Sequence, residues 1–119
     1  MRIEFSLPYP PLTGNHTTRR GQGCTYTDAA IVTWRGLVAN AVAKVGAAQM
    51  LPGPLTLEVW ASPPDDRARD ADNLLKVLGD ALTRGRVWTD DSNKVIRKTT
   101  LEWFEKTPGG ALNVIIETA

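Results

Sequence analysis

At 119 residues, with 42% hydrophobic and 23% charged side chains, the chain matches an ordinary soluble globular composition and is short enough for one domain spanning 1–119. No stretch nears eighteen consecutive apolar residues and the start, Met1-Arg2-Ile3-Glu4-Phe5, has no secretory-signal pattern, so a cytoplasmic protein without membrane association is expected. One cysteine (Cys24) and one histidine (His16) exclude an intrachain disulfide and a Cys/His zinc site, and a net charge of +1 is too small by itself to indicate a nucleic-acid partner.

In chain order, Ile3, Phe5 and Leu7 alternate with polar neighbours as in a half-buried strand, which Pro8-Tyr9-Pro10-Pro11 ends. Residues 12–26 hold three glycines and small polar side chains, and read as a surface loop. Thr27 or Asp28 can cap a helix whose apolar positions Ile31, Trp34, Val38, Val42 and Val45 recur at spacings of three and four. Pro52-Gly53-Pro54 breaks the chain before a second strand carrying Leu55, Leu57, Val59 and Ala61. Asp72 reads as the cap of a second helix with Leu74, Leu75, Leu78, Ala81 and Leu82 on one face and Gly85 as its stop. Gly79 costs that helix about 1 kcal/mol relative to alanine, which implies close packing against another backbone. Two more strands, from about Val95 to Phe104 and from Leu112 to Ile116, are joined through Pro108-Gly109-Gly110 in a hairpin-like turn. The order β-α-β-α-β-β predicts an α+β fold, a mixed four-stranded sheet with two helices largely on one face.

The chemistry concentrates around the second helix. Asp70 and Asp72 stand two residues apart at a loop-to-helix junction, and Asp90-Asp91 follow the helix, where the chain could return one carboxylate to the same point. Carboxylates about 4 Å apart repel by about 4 kcal/mol at an effective dielectric of 20, so such a cluster calls for a cation. Oxygen donors select a hard ion such as Mg²⁺. Lys76, one turn after Asp72, can point at the same place, or form a plain surface ion pair with Asp72. Asp70 and Asp72 could equally be a cap and a solvated loop, and Asp80 reads as structural. Leu74 and Leu75 stand where a calcium loop needs an oxygen ligand and a glycine, and no phosphate loop or nucleophile elbow is present, which leaves hydrolysis by activated water. Trp34, Trp60, Trp88 and Trp103 read as packing residues. Arg19 and Arg20 in the glycine-rich stretch, and Arg67 and Arg69 beside the acids, are candidates for gripping phosphates.

The run Arg67 to Lys76 (Arg-x-Arg-Asp-x-Asp-Asn-x-x-Lys), then Asp80-Ala81-Leu82, then Val87-Trp88-Thr89-Asp90-Asp91, resembles the RusA family of Holliday junction resolvases. Leu7-Pro8-Tyr9-Pro10-Pro11 followed by Asn15 is similar to that family's amino-terminal segment, so the resemblance covers nearly the whole chain. It implies a bacterial or phage-encoded homodimer that binds four-way DNA junctions and makes paired cuts with Mg²⁺ or Mn²⁺ and no small-molecule cofactor. The metal-binding carboxylates would be Asp70, Asp72 and Asp91 and the essential lysine Lys76. Read from the residues themselves, Asn15, Arg19, Arg20, Arg67, Arg69 and Asn73 are the expected DNA contacts. Two other readings remain: a non-catalytic branched-DNA-binding module, and a metal-dependent hydrolase of small phosphate esters.

Overall fold

Alternation in the strands and three-to-four spacing in the helices give the elements β1 (Arg2–Leu7), β2 (Thr18–Gly21), β3 (Cys24–Thr27), α1 (Ala29–Lys44), β4 (Leu55–Ser62), α2 (Ala71–Arg84), β5 (Ile96–Trp103) and β6 (Ala111–Thr118). The computed structural model describes residues 1–11, 18–21 and 24–119, with the backbone alone for 18–21 and 24–27. The main sheet has the order β1-β6-β4-β5, antiparallel across β1–β6 and β6–β4 and parallel across β4–β5. This is the expected mixed four-stranded sheet with two helices.

β4 shows how the layers form. Leu55, Leu57, Val59 and Ala61 are buried, while the intervening Thr56, Glu58, Trp60 and Ser62 are half-buried on the opposite face. Against the first face pack Ile31, Trp34, Val38 and Val42 of α1 and Leu74, Val77, Leu78, Ala81 and Leu82 of α2, all in one apolar cluster. The Trp34 indole Nε1–H donates to the Pro8 carbonyl at 2.7 Å, which anchors α1 to the end of β1. Asp80 accepts from Arg35 of α1 at 2.9 Å and from Arg84 of its own helix at 2.8 Å, a structural role that ties the two helices together. Among the described residues no helix is long and apolar enough to cross a membrane.

Three local expectations change. Residues Thr18–Gly21 and Cys24–Thr27 pair as a small antiparallel ribbon inside the stretch read as loop. Thr25, Tyr26 and Thr27 favour extended backbone, but strands this short, outside the main sheet, leave no long alternating pattern to read. The cap of α2 is Asp70 and not Asp72: its Oδ1 accepts from the backbone N–H of Asp72 at 2.8 Å and of Asn73 at 3.4 Å. β5 and β6 do not form a hairpin, because β4 lies between them. β6 buries Leu112, Val114 and Ile116 on one face and Ile115 on the other, which suits an interior strand, whereas β5 after Ile96 is exposed except at half-buried Leu101 and takes the edge. Gly109 and Gly110, both in the left-handed region (φ 79° and 70°), turn the chain past the end of β4.

Candidate active site

α2 buries its leucine face, and this orientation turns Asp72, Lys76 and Gly79 toward the flank beside β5. Positions 72 and 76 stack one turn apart, and 79 continues the same stripe. The segment after α2 supplies the remaining acid. Val87 and Trp88 are buried; the amide of Leu51 donates to the Val87 carbonyl, and the Trp88 indole Nε1–H donates to Thr83 Oγ1 at 2.9 Å. Asp90 accepts from the Ser92 amide at 2.8 Å, and the Ser92 hydroxyl and amide hold its carboxyl below the usual value. With its neighbours pinned, Asp91 reaches back to α2. A Cβ at Gly79 would lie 2.7 Å from Asp91 Oδ2, so the missing side chain is the space the carboxylate occupies. What approaches Gly79 closely is therefore a carboxylate and not a second backbone.

The result is a cleft of about 270 Å³ lined by Asp72, Lys76, Gly79 and Asp91 from one side and Leu57, Ile96 and Thr99 from the sheet, with Leu75 at its wall. Among the described residues neither carboxylate nor the Lys76 ammonium has a hydrogen-bond or ion-pair partner, so the plain Asp72–Lys76 surface pair does not form. Two unpaired carboxylates beside open space fit a hard dication, because Mg²⁺ takes a few carboxylate oxygens and keeps several waters.

Asp70 faces a different space. It lines an adjoining cavity of about 530 Å³ with Tyr9, Pro10, Pro11, Arg67, Arg69 and Asn73, and its Oδ1 is engaged in capping α2. Among the described residues no three acidic or other ligating side chains stand close enough to hold one metal ion. The chain thus joins Asp72, Lys76 and Asp91, and sets Asp70 beside them, across the first turn of the helix.

The two arginines next to Asp70 differ in freedom. Arg69, 17% exposed, donates to Asp65 Oδ1 at 2.9 Å and to the carbonyls of Asp65 and Arg67, with its guanidinium 5.5 Å from the Tyr9 ring centroid. That guanidinium and the Arg67 amide hold the Asp65 carboxyl well below the usual carboxylate range. Arg67 is 82% exposed, and among the described residues its side chain bonds to Asp65 alone. Asn73 is half-buried at the same cavity. Asn15 lies outside the described residues, and Arg19 and Arg20 are described only as β2 backbone.

Sequence reasoning missed Tyr9 and Thr99 as site residues. The Tyr9 hydroxyl is buried with no partner among the described residues, and burial pushes the phenol up. In the sequence Tyr9 showed only as part of a proline-rich strand end, and Thr99 as one of several polar residues in β5.

A family model described as Endodeoxyribonuclease RusA matches residues 8–117. Among curated relatives, the Crossover junction endodeoxyribonuclease RusA of Escherichia coli (strain K12) is 34% identical over 116 residues, covering 94% of this chain and 91% of that protein. The proteins of that name from Shigella sonnei (strain Ss046) and Enterobacteria phage 82 are each 32% identical, with the same coverage.

Proposed function

Because the chain belongs to the RusA family of endodeoxyribonucleases, we propose that it resolves four-way DNA junctions by paired, Mg²⁺-dependent hydrolysis of the phosphodiester backbone, with Mn²⁺ as an alternative ion. The observation that carries this reading is the convergence of Asp72, Asp91 and Lys76 on one open cleft. A divalent cation bound there supplies positive charge at the scissile phosphate and lowers the pKa of an attacking water.

The protein's own groups divide the rest of the work. Asp72 and Asp91 offer oxygen donors from two elements, and Asp70, which lines the adjoining cavity, is proposed to turn its Oδ2 into the donor set when the cation binds. Lys76 places its ammonium where negative charge grows on the non-bridging phosphate oxygens, and it offsets carboxylate repulsion when no cation is present. Arg67 and Asn73, at the mouth of the adjoining cavity, hold the neighbouring phosphate and sugar. Arg69, fixed by Asp65, shapes that cavity and lends it positive field. Asn15, Arg19 and Arg20 are proposed to grip the arms of the junction. A junction has near two-fold symmetry, so two equivalent cuts call for a symmetric homodimer with one cleft per subunit.

The test is a nicking assay on an end-labelled synthetic four-way junction with Mg²⁺, beside linear duplex and fork controls. Symmetric cuts in two opposing strands are the expected result. No product with either metal, or equal cutting of linear duplex, overturns the reading.

A further inference from the structure

The cavity beside the cleft is larger and less polar than a phosphate alone requires. At about 530 Å³ it falls in the size range of small-molecule sites, and the rings of Pro10, Pro11 and Pro64 give it flat apolar walls. A phosphate has no apolar face to set against such walls. A nucleobase has two, with its hydrogen-bonding groups confined to the edge of the ring.

The polar groups of the cavity suit a plane with a polar edge. Arg69 and Tyr9 line it together, the guanidinium over the phenol ring and 5.5 Å from its centroid. Nη1 of Arg69 already donates to Asp65 Oδ1 and to the carbonyls of Asp65 and Arg67, which holds the guanidinium in one orientation before anything binds. A planar cation fixed in this way is a stacking surface for a base rather than a mobile clamp for phosphate. Tyr9 gives the cavity ring carbon and no donor, since its hydroxyl is buried. The Asn73 side-chain amide lines the same space and has no partner among the described residues. Phosphate and sugar oxygens within a DNA strand can use only its N–H, which leaves its carbonyl to accept from the edge of a base.

From this we infer that the cavity takes one nucleobase, swung out of the DNA stack at the branch point of the junction, stacked on Arg69 and met at its edge by Asn73. The phosphate of that nucleotide stays at the mouth with Arg67, next to Asp70. This deepens the reading above, on which it rests for the substrate, and supplies a physical reason for preferring junctions to linear duplex. A base inside a duplex must be unpaired and unstacked on both sides before it can leave. A base at an open branch point lacks one regular stacking neighbour already, so its extrusion costs less.

The test uses the full chain and immobile four-way junctions in EDTA, so that binding is read without cutting. The fluorescent base 2-aminopurine, which brightens on leaving the stack, is placed at each branch-point nucleotide in turn. A rise on binding is expected at one or more of these positions, and none with the label inside an arm or in linear duplex. Ala68→Phe fills the cavity from an exposed position without removing a polar group, and Asn73→Ala removes the edge contact. Ala68→Phe should abolish the rise, and both variants should bind the intact junction about tenfold more weakly than wild type. A junction with an abasic residue at the responding position should bind all three proteins alike, because the group that the substitutions act on is gone. No rise at any branch-point nucleotide, or equal weakening of intact and abasic junctions by Ala68→Phe, overturns the base site. Cleavage in Mg²⁺ reports separately: a protein that extrudes the base and never cuts sinks the proposed function and leaves the site standing.

Discussion

Gly79 and Asp91 fit one another across the gap between α2 and the segment that follows it, and a single methyl group at position 79 would sit 2.7 Å from Asp91 Oδ2. That atom is the free end of an exposed side chain, so it can swing aside at little cost to the fold. Gly79→Ala is therefore expected to leave thermal stability unchanged or raise it by up to about 1 kcal/mol through helix propensity. Junction cleavage should fall at least about tenfold, because a shift of around 1 Å in a metal ligand or reacting group costs more than that. Thermal unfolding and single-turnover cleavage of the same sample check the two halves.

Asp70 can be separated into two roles by the choice of substitution. Asn is as good a cap as Asp, so Asp70→Asn should hold stability within a few tenths of a kcal/mol, whereas Asp70→Ala should lose about 1 kcal/mol. If Asp70 also serves the cation, both variants abolish cleavage while still shifting the junction in a gel with EDTA. An Asp70→Asn protein that cuts at the wild-type rate in Mg²⁺ would leave Asp70 a cap and nothing more.

For Asp72 and Asp91, replacement by Asn removes a negative charge from an exposed position with no hydrogen-bond or ion-pair partner among the described residues. Stability should change by less than about 0.5 kcal/mol, as is usual for surface substitutions. Mn²⁺ binding followed by calorimetry should weaken by at least about tenfold in each variant. Undiminished affinity in both would place the cation elsewhere.

The Asp65–Arg69 pair sets a pH dependence. Asp65 has its carboxyl pKa depressed below the ordinary 3.8, chiefly by the Arg69 guanidinium and then by the Arg67 amide. A depressed acid stabilises the fold above its unfolded pKa, and that contribution is lost as pH falls through the folded one. The wild type should accordingly lose stability as pH drops below about 4, and Asp65→Asn should show a shallower loss over the same range. Denaturant midpoints measured at pH 6 and pH 3 for both proteins decide it.

Much of this architecture was legible because it is periodic. The apolar spacing of Ile31, Trp34, Val38 and Val42, and the alternation of Leu55, Leu57, Val59 and Ala61, marked buried faces that the structure shares. The stacking of Asp72 over Lys76 followed from helix geometry alone. Strand order was not legible, since the turn at Gly109-Gly110 looks local while pairing depends on which strand can bury both faces. Nor was the cap, because Asp70 and Asp72 are equally good capping residues and only backbone conformation distinguishes them. The partner of Gly79 was beyond reach for a similar reason: a glycine announces that something comes close, without saying what.

The parallel alignment of β4 with β5 obliges the polypeptide to travel back along the whole sheet between them, and Gly85 to Val95 is the last leg of that return. Asp91 rides on this leg, so the acid is delivered by a route the chain must follow for architectural reasons. Adding or deleting a residue there would rotate the carboxylate away from α2, whereas the turn at residues 107–110 could change length with little consequence for it. The topology thus acts as a calliper, and its calibration is the number of residues between the end of one helix and the start of one strand.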